Sequence, residues 1–205
     1  MVSYNAFRGG SLGLNFAGFV LTSGRKRKRE KYLHDSDAYN ASQAAYGSFA
    51  HHDKLLRVGY AKDSDLSTHN TVVYHRNGTA LVAYRGTTND RNDYNADLAI
   101  GTGTHNMHDE FVTAHAIGDR VHKKYGNVHF TGHSLGGTKA IETAKKLKVK
   151  STVFNPGSSY MNPLDAGDAT VYRKNRDYIS YNIRNGKQIV SNGGHSLADF
   201  EDEFS

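Results

Sequence analysis

The segment T-G-H-S-L-G-G at residues 131–137 contains a serine with a glycine two positions away on each side. An apolar run precedes it and a helix-forming run follows, so the pattern predicts a strand, a sharp turn and a helix. Such a turn presents a serine hydroxyl to a cleft, and the glycines let neighbouring backbone pass without Cβ collisions. Ser134 is therefore the predicted nucleophile. The amide of Leu135, at the predicted helix start, is placed to stabilise an oxyanion.

A serine hydroxyl is a poor nucleophile until a base removes its proton, so a histidine and an orienting acid are needed. In proteins with this kind of turn, the acid and then the histidine follow the serine along the chain. His195 is the only histidine after Ser134 and is the predicted base. Asp177 is the favoured acid because it follows a predicted strand that ends near residue 173, and strand ends reach the cleft of a parallel sheet. Asp168 is the second candidate, and Asp165 also lies in the region.

A second oxyanion donor is expected from a loop after an earlier strand. The segment Y-R-G-T at residues 84–87 ends a predicted strand in a suitable place. Thr87 can offer both its amide and its hydroxyl, so it is the predicted partner of Leu135. A simple threonine-rich turn would be the better interpretation if the nucleophile motif were absent.

The elements that must position these residues alternate between strands and helices. Asn77-Gly78 separates two β-branched runs at 71–76 and 79–85, which predicts an antiparallel hairpin. Apolar residues spaced by three and four predict a helix over 107–125. The other predicted elements are helices at 36–49 and 135–147 and strands at 56–60, 128–131, 151–154 and 170–173. This alternation predicts an α/β fold with a mainly parallel sheet, an N-terminal antiparallel hairpin and helices on both faces.

Taken together, these residues resemble the class 3 lipase family, the triacylglycerol lipases of the α/β-hydrolase fold. The resemblance rests on T-G-H-S-L-G-G at 131–137, Y-R-G-T at 84–87 and A-D-L at 96–98. The alanine-rich helix that ends in Ala45-Tyr46, F-N-P-G at 154–157 and N-R-D-Y-I-S at 175–180 extend it over roughly residues 36–200. It implies the α/β-hydrolase fold and an ester hydrolase that forms an acyl-enzyme. By residue it implies Ser134 as nucleophile, Asp177 as acid, His195 as base, and Thr87 with Leu135 as the oxyanion hole.

The segment that the resemblance identifies as a lid is unusually polar. Residues 88–95 read T-N-D-R-N-D-Y-N, with Tyr94 as the only aromatic residue. Such a lid buries little apolar area against a fat droplet, and the gain from burial is about 25 cal/mol per Å². Phospholipids or short-chain glycerides are therefore the expected ester substrates, in preference to triglyceride emulsions.

Residues 1–35 form a predicted N-terminal tail, and residues 36–205 form the predicted hydrolase domain. The tail has an apolar, glycine-rich stretch at 11–21 followed by a basic run. The stretch is too short to span a bilayer, and its charges follow it, unlike those of a secretory signal. Two interpretations stay open: a disordered or nuclear-targeting tail, and a segment that binds an anionic membrane surface through residues 11–31. The cellular location is left undetermined.

The composition limits the other function classes. The chain has 205 residues, no cysteine and a formal net charge of +6, which fits one main domain and excludes disulfides and thiolate metal sites. The groups His51-His52-Asp53 and His105-x-x-His108-Asp109 lack the spacing of a four-ligand site, so no metal or cofactor is expected. A non-catalytic hydrolase-fold module that binds membrane or nucleic acid through the basic tail is the alternative function. Because nucleophile, acid and base candidates are all present, we favour an enzyme, and nucleic acid is not an expected partner.

Overall fold

The computed structural model describes residues 33–87, 105–158 and 163–204. In chain order the helices are α1 (Asp35–Ala45), α2 (Phe49–Arg57), α3 (His105–Tyr125), α4 (Leu135–Leu147), a 3-10 helix (Leu197–Phe200) and α5 (Glu201–Phe204). The strands are β1 (Ala61–Lys62), β2 (Thr71–Arg76), β3 (Thr79–Tyr84), β4 (Asn127–His133), β5 (Lys150–Phe154), β6 (Leu164–Asp165), β7 (Thr170–Lys174), β8 (Ile183–Arg184) and β9 (Lys187–Ser191).

The central sheet contains seven of these strands, in the order β1-β2-β3-β4-β5-β7-β9. The first three strands are antiparallel, and from β3 to β9 every neighbouring pair is parallel. Strands β6 and β8 form a separate parallel pair. The predicted fold class is therefore confirmed: an α/β architecture consistent with the α/β-hydrolase fold, with an antiparallel hairpin on its N-terminal side.

The hairpin between β2 and β3 turns at the predicted Asn-Gly pair. Asn77 has φ 51° and Gly78 has φ 75°, the two positive values that a two-residue type I′ turn requires. Arg76 and Thr79 face each other directly across the turn. This turn fixes the register of β3, whose far end carries the loop at residues 84–87.

Helices cover both faces of the sheet, and side-chain alternation along β2 separates the two cores. Val73 packs with the cluster under α3 and α4, together with Phe130 and Ile141. Its neighbours Val72 and Tyr74 pack with the cluster under α1 and α2. The central strands are buried on both faces over most of their length, as is typical of parallel sheets. Strand β3 is a nearly continuous apolar run, whereas β4 and β5 also bury Thr131, Ser151 and Thr152.

Two of the predicted elements near the N-terminal helices need correction. The predicted strand at 56–60 is wrong, because α2 extends to Arg57 and the next strand begins at Ala61. The predicted single helix at 36–49 is split, since α1 ends at Ala45. Gly47 and Gly59 follow the two helix ends with φ values of 92° and 91°. Glycine in this left-handed conformation ends a helix by satisfying its last carbonyls, as the bond from the Gly47 N–H to the Ala44 carbonyl shows.

The C-terminal segment, residues 197–204, packs against the first two helices. Phe200 and Phe204 pack with the aromatic side chains of Tyr39, Phe154 and Tyr172. The carboxylate of Glu201 accepts a hydrogen bond of 2.8 Å from the Tyr39 hydroxyl and lies 3.2 Å from the Lys54 ammonium. These contacts hold the short connection between β9 and the 3-10 helix, which carries His195, against the body of the protein.

Several predictions fall outside the described residues. They concern the lid at 88–95, the A-D-L segment at 96–98 and nearly all of the tail at 1–35, so the proposed domain division stays a prediction. Across the described parts of the chain, no helix is long and apolar enough to cross a membrane.

Candidate active site

Ser134 occupies a strained turn between β4, which ends at His133, and α4, which begins at Leu135. Its backbone has φ 57° and ψ −130°, a conformation that costs a residue with a Cβ about 1–3 kcal/mol and persists only where the surroundings impose it. Here the Ser134 N–H donates to the Phe154 carbonyl at 3.2 Å, and the Gly157 N–H donates to the Ser134 carbonyl at 3.0 Å. The end of β5 therefore holds the turn, and the side chain is fully buried.

The glycines of the motif allow β3, β4 and α4 to approach closely. A Cβ on Gly136 would lie 2.1 Å from the Tyr84 carbonyl oxygen, and a Cβ on Gly132 would lie 2.5 Å from the Gly136 backbone. Both contacts are with main-chain atoms, which cannot move aside easily. The spacing of the two glycines therefore follows from backbone contact across the turn.

Replacement of Gly136 by alanine is expected to lower the free energy of unfolding by about 2 kcal/mol or more, because overpacking forces α4 away from the backbone at the end of β3. Gly137→Ala is the matched control. Its Cβ would meet Pro156 at 3.0 Å and the Gly132 carbonyl at 3.1 Å, so it should cost clearly less. Urea unfolding of both variants measures the difference. Equal losses for the two variants would contradict the close-packing argument.

Asp177 and His195 form a hydrogen-bonded pair beside this turn. His195 Nδ1 lies 2.8 Å from Asp177 Oδ2, and the other carboxylate oxygen accepts the Ile179 N–H at 2.9 Å. Burial alone would raise the pKa of Asp177, but the bonds from His195 and the Ile179 amide outweigh it, so this pKa lies below its ordinary value. A carboxylate bound to Nδ1–H leaves Nε2 of a neutral imidazole free of a proton and able to act as a base.

The backbone carbonyls of Gly194 and His195 accept hydrogen bonds that hold this segment against the nucleophile turn. The rings of His133 and His195 have centroids 4.9 Å apart, and His133 Nε2 lies 2.7 Å from the His195 carbonyl oxygen. Asn155 adds a second hydrogen bond, from its side-chain nitrogen Nδ2 to the Gly194 carbonyl oxygen at 3.0 Å. The base candidate is thus brought to the residue that precedes Ser134.

The loop at residues 84–87 also lies against Ser134. A Cβ on Gly86 would be 2.7 Å from the His133 carbonyl oxygen and 3.3 Å from the Ser134 Cβ. The next residue, Thr87, is half-buried, and on the other side of the serine α4 begins with Leu135. The two predicted oxyanion residues therefore flank the same turn.

The two other acid candidates lie elsewhere. Asp165 is exposed and accepts a hydrogen bond from Asn185 at 2.7 Å, with Lys145 3.3 Å away. The bond from Asn185 is the main reason that its pKa falls to about 2. Asp168 is exposed. Of the three aspartates considered from the sequence, Asp177 is the one that meets His195.

Sequence reasoning missed three residues that organise this region. Asn155 bridges the end of β5 to β7, since its side-chain oxygen accepts the Lys174 N–H at 2.8 Å. Tyr46 meets both His133 and Gly86, and Lys139 is a buried cation paired with Glu110. Asn155 and Tyr46 lie within segments that carry the family resemblance, but neither segment reveals a hydrogen-bonding role.

Two histidines of β4, the half-buried His129 and the buried His133, should make stability depend on pH. Burial lowers the pKa of His129 to about 4 and that of His133 to about 3, whereas an unfolded histidine titrates near 6.5. Between pH about 6.5 and 4 the unfolded chain therefore binds more protons, so stability falls as the pH falls. Each histidine should contribute up to about 1.4 kcal/mol per pH unit.

His129→Gln tests this expectation, because glutamine keeps a polar group facing the Thr152 hydroxyl, which lies 3.0 Å from His129 Nε2, without titrating. Urea unfolding of wild type and variant from pH 7.5 to pH 4.5 should give a smaller loss of stability in the variant. Identical pH slopes would contradict the linkage.

The three residues of the first group considered for metal binding have other partners, whereas the side chains of His105 and His108 in the second group are not among those that the structure describes. His51 contacts the Ser48 hydroxyl and Glu201, His52 contacts the Tyr74 hydroxyl at 2.7 Å, and Asp53 pairs with Arg57 at 2.7 Å. Within the described ranges, no three histidine or carboxylate residues are grouped so that they could hold a metal ion.

Comparison with known proteins adds a family match. A family model for phospholipase-like proteins, the Tle-like phospholipase domain, matches residues 36–177. The matched region includes Ser134, Thr87 and Asp177 and ends before His195. It supports a lipase or phospholipase-like family without singling out the class 3 lipases. No curated protein matches the chain.

Proposed function

The chain belongs to the phospholipase-like family defined by the Tle-like phospholipase domain, and from this membership we propose that it hydrolyses carboxylic esters of phospholipids or short-chain glycerides with Ser134 as nucleophile, His195 as base and Asp177 as acid. The single observation that carries the residue roles is the 2.8 Å bond between His195 Nδ1 and a buried Asp177 carboxylate, beside a serine on a strained strand-to-helix turn. The family match supports the lipid hydrolase activity, and this arrangement supports the proposed mechanism.

In the proposed reaction the Ser134 hydroxyl oxygen attacks the ester carbonyl carbon while His195 Nε2 takes the hydroxyl proton. The amides of Thr87 and Leu135 stabilise the negative charge on the carbonyl oxygen. Collapse of the tetrahedral intermediate breaks the bond to the alcohol oxygen, which receives the proton from His195. Water then attacks the acyl carbon while His195 Nε2 takes a proton from it. The bond to the Ser134 oxygen breaks, that oxygen receives the proton from His195, and the fatty acid is released. Asp177 holds the imidazole in the required tautomer throughout.

Features around the acid support a lipid surface as the place of reaction. Tyr178 and Tyr181 follow Asp177 and have 91% and 69% of their surface exposed. The loop that carries them is fixed, since the Ser158 N–H and hydroxyl both donate to the Ile179 carbonyl, at 2.9 and 2.8 Å. Tyrosine side chains are favoured at the headgroup level of bilayers. The match to the Tle-like phospholipase domain and the polar lid sequence favour phospholipids over triglyceride emulsions.

The test combines an active-site label with a substrate panel. A fluorophosphonate should modify the wild-type protein once, and peptide mass spectrometry should locate the adduct on Ser134. Vesicles of phosphatidylglycerol and phosphatidylethanolamine should release fatty acid and lysophospholipid, and mono-, di- and triglycerides complete the panel. Labelling elsewhere, or no fatty acid from any ester, would reject the enzyme and favour the non-catalytic module.

The basic run of the tail contributes recruitment in this proposal. Glutamine in place of its six basic residues should slow hydrolysis of phosphatidylglycerol vesicles at low salt, because each basic residue near an anionic surface contributes about 1 kcal/mol. Turnover of a soluble p-nitrophenyl ester should not change. These residues are Arg25, Lys26, Arg27, Lys28, Arg29 and Lys31.

Salt provides the control for this prediction. The advantage of wild type on vesicles should shrink as salt rises, since exposed charges are screened beyond about 8 Å at physiological ionic strength. Equal vesicle rates for the two proteins at low salt would exclude the tail as a membrane anchor and leave targeting as the better explanation of its charge.

A further inference from the structure

A continuous line of hydrogen bonds runs through the interior from the loop that carries Thr87 to the backbone of His195. The Gly86 N–H donates to the Tyr46 hydroxyl oxygen at 3.1 Å. The same hydroxyl lies 3.1 Å from His133 Nδ1, and His133 Nε2 lies 2.7 Å from the His195 carbonyl oxygen. Thr87 follows Gly86 directly, so the line joins the proposed oxyanion donor to the proposed base.

The direction of every proton in this line is fixed. A carbonyl oxygen can only accept a hydrogen bond. His133 Nε2 must therefore carry a proton and donate a hydrogen bond to the His195 carbonyl oxygen. Burial lowers the pKa of His133 to about 3, so the ring is neutral and its Nδ1 is an acceptor. Tyr46 must therefore donate to Nδ1, and burial raises the pKa of its hydroxyl to about 12, which keeps that proton in place. The Tyr46 hydroxyl also lies 3.5 Å from the His133 carbonyl, but Nδ1 is the nearer acceptor.

The peptide unit between Arg85 and Gly86 is also contacted at its carbonyl oxygen. The Lys139 ammonium lies 3.5 Å from the Arg85 carbonyl oxygen, and Lys139 is itself buried and paired with Glu110. The carbonyl and the N–H of one peptide unit are thus bound by different side chains. This peptide cannot rotate without breaking both contacts, so the residue after it has a defined position.

We propose that Tyr46 and His133 are positioning residues that hold the Thr87 amide and the His195 imidazole in register around Ser134. Neither side chain acts on the ester. The inference rests on the proposed function and adds to it a connection between two parts of the site that the reaction uses at the same moment. Because this line has one permitted arrangement of protons, loss of one member should disturb both ends.

Tyr46→Phe tests the proposal because it removes only the hydroxyl. With a soluble p-nitrophenyl ester, kcat should fall about 10- to 100-fold while KM stays within about twofold, since small misplacements of catalytic groups act on the transition state. Affinity for a trifluoromethyl ketone, whose bound form resembles the tetrahedral intermediate, should fall by a similar factor. Tyr74→Phe is the matched control, because it also removes a buried tyrosine hydroxyl from a histidine Nδ1, away from Ser134.

Three measurements separate positioning from simple loss of stability. Thermal unfolding should shift by similar amounts in the two variants, whereas only Tyr46→Phe should lose kcat. In wild type, ¹⁵N NMR should find His133 protonated at Nε2 and bare at Nδ1 at neutral pH. Hydrogen exchange of the Gly86 amide should be slow in wild type and faster in Tyr46→Phe.

The outcomes are distinguishable. Normal wild-type labelling at Ser134, with kcat and inhibitor affinity of Tyr46→Phe equal to those of Tyr74→Phe, would overturn the positioning role and leave the proposed function intact. A proton found on His133 Nδ1 would also overturn it. Failure of wild type to label at Ser134 would overturn both proposals together.

Discussion

Replacement of Ser134 by alanine is expected to reduce kcat for a p-nitrophenyl ester by about 10⁵-fold or more, because loss of a serine nucleophile removes the covalent pathway. Fluorophosphonate labelling should disappear as well. The fold should persist, since the turn is held through the Ser134 backbone by Phe154 and Gly157, and alanine keeps both main-chain bonds. Circular dichroism and thermal unfolding check that the variant is folded.

Ser42→Ala provides the matched control for this experiment. Ser42 is also fully buried, and its hydroxyl meets the Thr131 hydroxyl at 2.9 Å, so its loss removes a buried serine hydroxyl outside the proposed chemistry. Turnover of Ser42→Ala should stay close to that of wild type. Residual activity in Ser134→Ala comparable to that of the control would rule out Ser134 as the nucleophile.

The second large effect is expected from Asp177→Asn, which should lower kcat by about 10⁴-fold with little change in structure. In the wild type the Ile179 N–H donates to Asp177 Oδ1 at 2.9 Å. The side-chain carbonyl oxygen of asparagine can still accept this hydrogen bond. Its amide group then faces His195 Nδ1 as a donor and favours the tautomer with the proton on Nε2. In that tautomer His195 cannot accept the serine proton.

Asp165→Asn is the comparison for the acid. Asp165 also accepts hydrogen bonds, from Asn185 and the Gly167 N–H, but it has no contact with His195 among those described. Its variant should turn over substrate at the wild-type rate. An Asp177→Asn protein with wild-type kcat would show that the pair with His195 is structural, and it would return Asp168 to consideration.

The central part of the fold could be predicted from the sequence because its signals are local. Asn77-Gly78 specifies a hairpin turn in two residues. Strand β3 is a nearly continuous apolar run, and the β-branched and aromatic residues of β4 and β5 identify two further strands. The helix that starts at Leu135 follows a glycine-rich turn whose geometry has few alternatives. Local pattern and tertiary structure agree in these elements.

The elements that escaped prediction are short or depend on distant contacts. Strand β9, K-Q-I-V-S, lies at the edge of the sheet and is largely polar, so it lacks the apolar pattern of a buried strand. Strands β6 and β8 contain two residues each. The wrong strand at 56–60 has apolar or aromatic residues at alternate positions, but Leu56 belongs to α2, and Leu56 and Val58 are 43% and 51% exposed.

A candidate site residue could be predicted where the order of residues along the chain leaves one choice. His195 is such a residue, because it is the only histidine after Ser134. The supporting residues were not, since Tyr46, Asn155 and Lys139 act through contacts with segments between 19 and 87 positions away. Spacing in the sequence carries no information about such pairs. The packing of α1 and α4 against the sheet brings Tyr46 and Lys139 to the site, and the pairing of β5 in the sheet brings Asn155.

The contacts of the C-terminal segment with α1 and α2 determine at which stage of folding the site can form. The bond from Tyr39 to Glu201 closes a loop of 162 residues, and contacts of such long separation form late because they require most of the chain to be ordered first. A nascent chain that reaches only Lys174 contains Ser134 but neither Asp177 nor the base. With the roles proposed for Asp177 and His195, an unfinished chain lacks both the acid and the base, so we expect it to leave the lipids of a nearby membrane intact.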